Sequence, residues 1–313
     1  MMTQPIHSFS IHTNNPLRGG QLFGMYAQPN LQLYTINPET AHPSPIGTFA
    51  ASNESIAQQL SDIDPVRGIY YVLTMNLTSS GVQLIGLSVE SGKIVRNVIL
   101  PLVETIWIGA GQSVTVDPKT GNVLISGQTA PNSPVVILKV SPDNSVTKLY
   151  EFSPDLVVGS ISGFDPKYNI LYLEYIRNKT HLELHAFDGT SGRPLGIIEN
   201  TVIMQTMAFD AKRQLMVGIG LEQVSETKFQ RTLVSLNSKT FTLQKEHDIE
   251  GDFIIMDAIM GPIDYVNRKL YCMMSPEQSQ PFTFLTIDLD SGVILNKVTS
   301  PKLPWSIEVL NLP

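Results

Sequence analysis

Cysteine is nearly missing from these 313 residues. Cys272 stands alone inside the apolar run Leu270-Tyr271-Cys272-Met273-Met274, so no internal disulfide can form and a buried strand thiol is the expectation. Histidine is scarce, six in all, and no H-E-x-x-H, G-x-S-x-G or Walker loop occurs. Gly109-Ala110-Gly111 precedes a strand and not a helix, which removes it as a phosphate cradle. Basic residues number 21 against 28 acidic ones and are scattered singly, so the basic stripe of a nucleic-acid binder is absent. No apolar run is long enough to span a bilayer. The start, Met1-Met2-Thr3-Gln4-Pro5-Ile6-His7-Ser8, has neither the charged region nor the apolar region of a signal peptide. The expectation is a cytoplasmic monomer with no nucleic-acid and no membrane partner. Asn53-Glu54-Ser55, Asn76-Leu77-Thr78 and Asn178-Lys179-Thr180 would matter as glycosylation acceptors only behind a leader. Sustained helical periods with caps are missing too.

What is present is a repeat. Thr115-Val116-Asp117-Pro118-Lys119-Thr120-Gly121-Asn122-Val123-Leu124 reads as a strand, a tight turn and a second strand. Near-copies centre on Asp64, Asp165, Asp210 and Asp264, and the aspartates follow one another roughly 45–54 residues apart, the length of one propeller blade. Calling these strands a and b, a second hairpin of strands c and d follows each pair. Its tips, such as Glu90-Ser91-Gly92, Asp188-Gly189-Thr190-Ser191-Gly192 and Asp290-Ser291-Gly292, carry the residues that hairpin turns require. There are six c–d hairpins but five complete a–b pairs. The leftover pieces are Gln21–Tyr26, which reads as a lone strand b, and Trp305–Asn311, a lone strand a with Asn311 in place of the aspartate. Pairing them completes a sixth blade and removes the open edge. The predicted fold is an all-β, six-bladed β-propeller of four antiparallel strands per blade, spanning 21–313 as a single domain. Residues 1–20 are expected to be an N-terminal arm or loop.

The pattern of an apolar strand, Asp-x-x-[Thr/Ser]-Gly and another apolar strand, best seen in Asp117–Ile125 and Asp288–Leu295, resembles the broad group of YVTN, NHL and YWTD-type propellers. WD40 is disfavoured, because neither its Gly-His nor its Trp-Asp signature recurs. The resemblance covers nearly the whole chain and implies fold, not activity. It also implies that the loops into strand a and out of strand b share one face with the channel mouth.

Two kinds of residue then become candidates. The turn aspartates recur in every complete blade, which suits a carboxylate capping the backbone of its own turn. Five residues before them, strand a is polar where it should be apolar: Gln59, Gln112, Ser160, Gln205 and, before Asn311, Ser306. In the fifth full repeat the register is broken by Met256-Asp257-Ala258-Ile259. Such a ring satisfies strand ends and water, or it recognises a ligand. The ligand reading uses Gln59, Gln112, Ser160, Gln205, Asp257 and Trp305 at the channel mouth, in a non-catalytic propeller that binds a protein or a small polar ligand. The alternative is a metal-dependent, lactonase-like hydrolase. Each loop into strand a carries an acid, among them Glu54, Glu104, Asp155, Glu199, Asp252 and Asp257, while the last carries Lys302 and Trp305. Of these, Glu54, Glu104 and Asp257 are the candidate ligands for Ca²⁺ or Mg²⁺. His181 and His185, four apart on a strand, lie about two pleats apart, too far for easy joint ligation.

Overall fold

The computed structural model describes residues 19–26, 32–47, 54–76, 81–103, 113–129, 133–153, 157–177, 181–198, 202–225, 229–250, 256–259, 262–275, 282–300 and 306–311. The strands run in chain order. The first blade holds β1 (Gln21–Tyr26), β2 (Gln32–Ile36) and β3 (Pro43–Pro45). The second holds β4 (Glu54–Asp64), β5 (Ile69–Asn76), β6 (Gly81–Ser88) and β7 (Ile94–Val103). The third holds β8 (Ser113–Val116), β9 (Val123–Gln128), β10 (Val135–Val140) and β11 (Val146–Glu151). The fourth holds β12 (Val157–Asp165), β13 (Ile170–Arg177), β14 (His181–Asp188) and β15 (Pro194–Ile198). The fifth begins with a divided strand, β16 (Ile203–Met204) and β17 (Ala208–Asp210), then β18 (Leu215–Gln223), β19 (Phe229–Asn237) and β20 (Thr242–Ile249). The sixth does likewise with β21 (Met256–Ile259) and β22 (Ile263–Asp264), then β23 (Lys269–Ser275), β24 (Phe282–Asp288) and β25 (Ile294–Ser300). The final strand, β26 (Ser306–Leu310), pairs antiparallel with β1, so the first sheet has the order β26-β1-β2-β3. These are six antiparallel sheets in a ring, the all-β propeller expected from the repeat.

Period-two alternation explains the packing. Successive side chains leave a strand on opposite faces, and in a ring of stacked blades both faces are buried. On β5, Tyr70 and Val72 join the core between blades one and two, while Tyr71 and Leu73 join the core between blades two and three. Comparable cores lie between blades three and four, four and five, five and six, and six and one. The last includes Ile307 and Val309 of β26 against Tyr271 and Phe284. Cys272 is buried in the core between blades five and six, and burial pushes its thiol well above the usual range.

The repeated aspartates are turn caps. Asp64 Oδ1 accepts the N–H groups of Val66 and Arg67, each at 3.0 Å. Asp165 and Asp210 do the same for Lys167 and Tyr168, and for Lys212 and Arg213. Four residues on, every one of these turns needs a left-handed residue: Gly68, Gly121, Asn169, Gln214 and Arg268 have φ of 62°, 75°, 57°, 60° and 56°. Glycine takes that conformation without strain, which explains its place at 68 and 121. Gln214 and Arg268 sit there at a steric cost. Arg268 has a visible compensation, since it bridges Asp210 and Asp290, each at 2.6 Å, and ties blade five to blade six. Arg67 reaches Pro118 O, Lys119 Nζ donates to Pro166 O, and Ser238 Oγ donates to Asp165, carrying the ties around the ring.

Asp117→Ala tests the cap directly. Asp117 accepts from Lys119 N at 3.0 Å and from Thr120 Oγ1 at 2.5 Å. Its removal is expected to lower stability by roughly 0.5–2 kcal/mol, the usual range for a lost side-chain cap. A chemical-denaturation midpoint measures the loss, and ligand binding in the channel should be unchanged.

Candidate functional site: the central channel

Innermost strands of all six blades enclose a cavity of about 590 Å³, and the a–b turns form its rim. Pro65, Pro118, Pro166, Ala211 and Tyr265 stand at that rim, while Val114, Ile161, Met207, Phe209 and Val309 make much of the wall apolar. A mostly apolar cavity with a few convergent polar groups is the usual form of a small-molecule site.

Of the polar positions singled out in strand a, Gln59, Ser160, Gln205 and Asp257 fall where that strand leaves its ladder, whereas Ser306 pairs with Met25 within it. β4 loses register with β5 between Ile56 and Ser61, which encloses Gln59. β12 does so with β13 between Val158 and Ser162, which encloses Ser160. Blade five is interrupted between Met204 and Ala208, around Gln205, and blade six between Met256 and Ile259, around Asp257. Bulges leave backbone groups unpaired and re-aim side chains, so polar residues recur there for a local reason.

Gln205 shows the local chemistry. Its N–H donates to Ile219 O at 2.8 Å, and the Ile219 N–H donates in turn to Thr206 Oγ1 at 3.0 Å, a hydroxyl standing where a backbone carbonyl would be. Gly218 makes room for this detour, since a Cβ there would lie 1.9 Å from Thr206 O. Gln205 lines the channel, and its Oε1 is buried with no hydrogen-bond donor among the described residues. Gln59, Ser160 and Asp257 are placed by their strands, and Glu54 opens β4; the side chains of all four lie outside the described residues. Gln112, Trp305 and Glu104 lie outside the described residues altogether. So do Trp107, Asp155, Glu199, Asp252 and Lys302.

A pair of acids that the repeat does not single out dominates the electrostatics. Asp62 on β4 and Glu308 on β26 line the channel from adjacent blades and are partly buried there. Asp62 accepts from its neighbour Ile63 N at 2.7 Å and from Val116 N of blade three at 2.6 Å. Ser61 Oγ donates to Glu308 Oε1 at 2.7 Å. Behind them Tyr70 OH and Ser306 Oγ share a hydrogen bond of 2.6 Å. Burial raises the Asp62 carboxyl to about 7, partly offset by its two backbone donors, and Asp64 adds repulsion. Burial likewise lifts Glu308 well above the usual carboxylate range, helped by the charge of Asp62 and opposed by the Ser61 hydroxyl. The sequence does carry a trace of this pair: Asp62 and Glu308 stand in strand a where other blades have residues such as Val114, Thr115, Gly163 and Ala208.

Among the described residues no group of three or more His, Cys, Asp or Glu side chains comes together as a metal site. The acid pair is a poor match to Ca²⁺ or Mg²⁺ on its own, because such ions take six or more oxygens and both Asp62 oxygens already receive backbone N–H groups. His185 is occupied elsewhere, 2.8 Å from Glu183 and with its ring centroid 4.3 Å from that of Tyr175.

The architecture defines the class, a six-bladed β-propeller with a central channel. Solved structures share it at low identity. A hydrazine synthase of Kuenenia stuttgartiensis is 11% identical, with a TM-score of 0.56 over 97% of this chain and 92% of that one. TolB from Acinetobacter baumannii is 9% identical, with a TM-score of 0.53 over 90% of this chain and 67% of that one. A puromycin hydrolase is 12% identical, with a TM-score of 0.53 over 90% of this chain but 45% of that one. No family model matches the chain, and no curated protein does. At these identities the likeness concerns the fold alone, and function has to be argued from the channel.

Proposed function

We propose that this is a binding propeller that takes a small polar ligand in its central channel. The observation that carries the reading is the cavity of about 590 Å³, apolar over much of its wall and supplied with the polar groups of Asp62, Glu308, Gln205 and Asn311. Apolar walls exclude water and polar groups fix orientation, so a ligand smaller than the cavity is held by both. In this reading the two carboxylates, the amides and the Ser61 hydroxyl that donates to Glu308 serve recognition. The metal-dependent hydrolase reading rests on Glu54, Glu104 and Asp257, with Ca²⁺ or Mg²⁺ as the ion.

The two readings separate in one experiment. A thermal-shift screen of small polar compounds, with and without a chelator, finds channel ligands and tests their dependence on a metal. Gln205→Ala is then expected to weaken a channel ligand about 5–150-fold, the effect of about 1–3 kcal/mol from one unpaired buried group. Chelation should leave that affinity unchanged. Turnover of an ester or lactone that is lost on chelation, or on Glu104→Gln, would contradict the binding reading and favour the hydrolase.

A further inference from the structure

Two acids stand in the channel lining with no cation paired to them among the described residues. Asp62 and Glu308 are acids on adjacent inner strands, and no cation of the described residues acts on the titration of either. Lys119 lines the rim, but its Nζ donates to Pro166 O and bridges two turns. Two amides of the channel lining add acceptors. Gln205 Oε1 and Asn311 Oδ1 are buried with no donor among the described residues, and the Asn311 amide nitrogen is already committed to Ile263 O at 2.5 Å. A buried acceptor without a donor costs free energy, as do acids held in a partly apolar cavity without a counter-charge. A ligand that brings donors and positive charge relieves both costs, and the apolar wall beside them matches a short carbon skeleton.

We infer that the channel ligand is a small organic cation, an ammonium or guanidinium group on a short chain, whose charged head lies between Asp62 and Glu308. This rests on the channel-binding reading and names the chemical class of its ligand. The charged head donates to the carboxylates, and the amide oxygens take donors further along the chain. The cation binds the ionised form of the pair, and both acids hold their protons to unusually high pH in the free protein, so binding releases protons and strengthens as pH rises through about 7. Tyr70 on β5 and Asp64 at the end of β4 interact with the pair, while Lys119 in the β8–β9 turn and Tyr265 in the β22–β23 turn line the same channel. Burial pushes Tyr70 upward, so it stays neutral through this range.

The test is a calorimetric titration of the whole chain with n-butylamine, 1,4-diaminobutane, spermidine and 4-guanidinobutylamine. Each is set beside its neutral counterpart, 1-butanol or 1,4-butanediol, at pH 8 and at pH 5.5. These amines remain charged at both pH values, so a pH effect reports the protein. At least one cation is expected to bind at pH 8 more than 10-fold tighter than its neutral counterpart. That affinity should fall by 10-fold or more at pH 5.5 and again in Glu308→Gln. Should Glu308→Gln fail to fold, the pH comparison on the unaltered protein decides. Binding of neutral compounds alone overturns the cation while leaving the channel-binding reading in place, as does a cation whose affinity neither pH nor Glu308→Gln changes. Binding of neither class overturns both.

Discussion

At pH 8, Glu174→Gln is expected to unfold at a higher urea concentration than the unaltered protein, an unusual result for a buried substitution. Glu174 lies on β13, 5% exposed, with one carboxyl oxygen lacking any hydrogen-bond partner among the described residues. Burial raises its carboxyl to about 8, against a weaker opposing pull from the Met204 N–H of blade five. The folded state therefore holds this proton more tightly than the unfolded chain. Stability from Glu174 is fully present below its ordinary value of 4.5 and is lost as pH rises toward about 8. At about 1.4 kcal/mol per pKa unit, the loss between pH 5 and pH 8 is on the order of 2–4 kcal/mol. Asp62, raised to about 7, drives stability in the same direction. Glutamine keeps the shape and an acceptor while removing the charge. Glu174→Gln should therefore flatten the profile and recover roughly 1–3 kcal/mol at pH 8, with little change at pH 5. Urea midpoints at the two pH values measure this. A flat profile for the unaltered protein, or equal destabilisation of the variant at both, would contradict the assignment.

The larger effect is expected from removing β26. Deleting Ser306 to Pro313 takes away the ladder to β1, in which Gly24 faces Ile307 and Leu22 faces Val309. It also removes Ile307, Val309 and Leu310, each under 5% exposed, from the cores on either side of the first blade. At about 1.5–3 kcal/mol for each buried aliphatic side chain, packing alone accounts for roughly 5–9 kcal/mol. The polar ties from Ser306, Glu308 and Asn311 to blades two and six are lost as well. A domain stabilised by about 5–15 kcal/mol does not survive this, and β1 is left as an open edge. Insoluble or self-associated protein is expected on size-exclusion chromatography. A soluble monomer with an unchanged melting temperature would contradict it.

The parts of this molecule visible in the sequence are those that repeat. Asp-x-x-x-Gly between apolar strands encodes a turn that needs a cap and a left-handed residue, and Asp64 with Gly68 and Asp117 with Gly121 meet that need locally. Local chemistry of this kind recurs once per blade and can be read without knowing what packs on it. Gln214 and Arg268 obscure the same position, since neither residue type favours the left-handed conformation, and the contacts of Arg268 to the distant Asp210 and Asp290 exist only in the fold. The acid pair is hidden for the opposite reason. Asp62 and Glu308 break the repeat, and only closure of the ring sets β26 beside β4 and brings Glu308 within reach of Ser61. The repeat places Glu54 and Asp257 in loops into strand a, whereas they lie on β4 and β21, and the two acids that line the channel lie within strands as well. The bulges are half visible: at Gln59, Ser160 and Gln205 a polar residue five positions before the turn aspartate marks where the ladder breaks, and Gln205 is the one whose partners are defined.

Methyl NMR on protein labelled at its methionine methyl groups tests the central claim most directly. Met207 lines the channel, whereas Met25 lies in the core between blades one and two and Met273 in the core between blades six and one. Addition of a bound compound is expected to shift the Met207 methyl signal in a saturable way, with Met25 and Met273 unmoved. Saturable binding that leaves Met207 unchanged would place the ligand outside the channel and contradict the proposal.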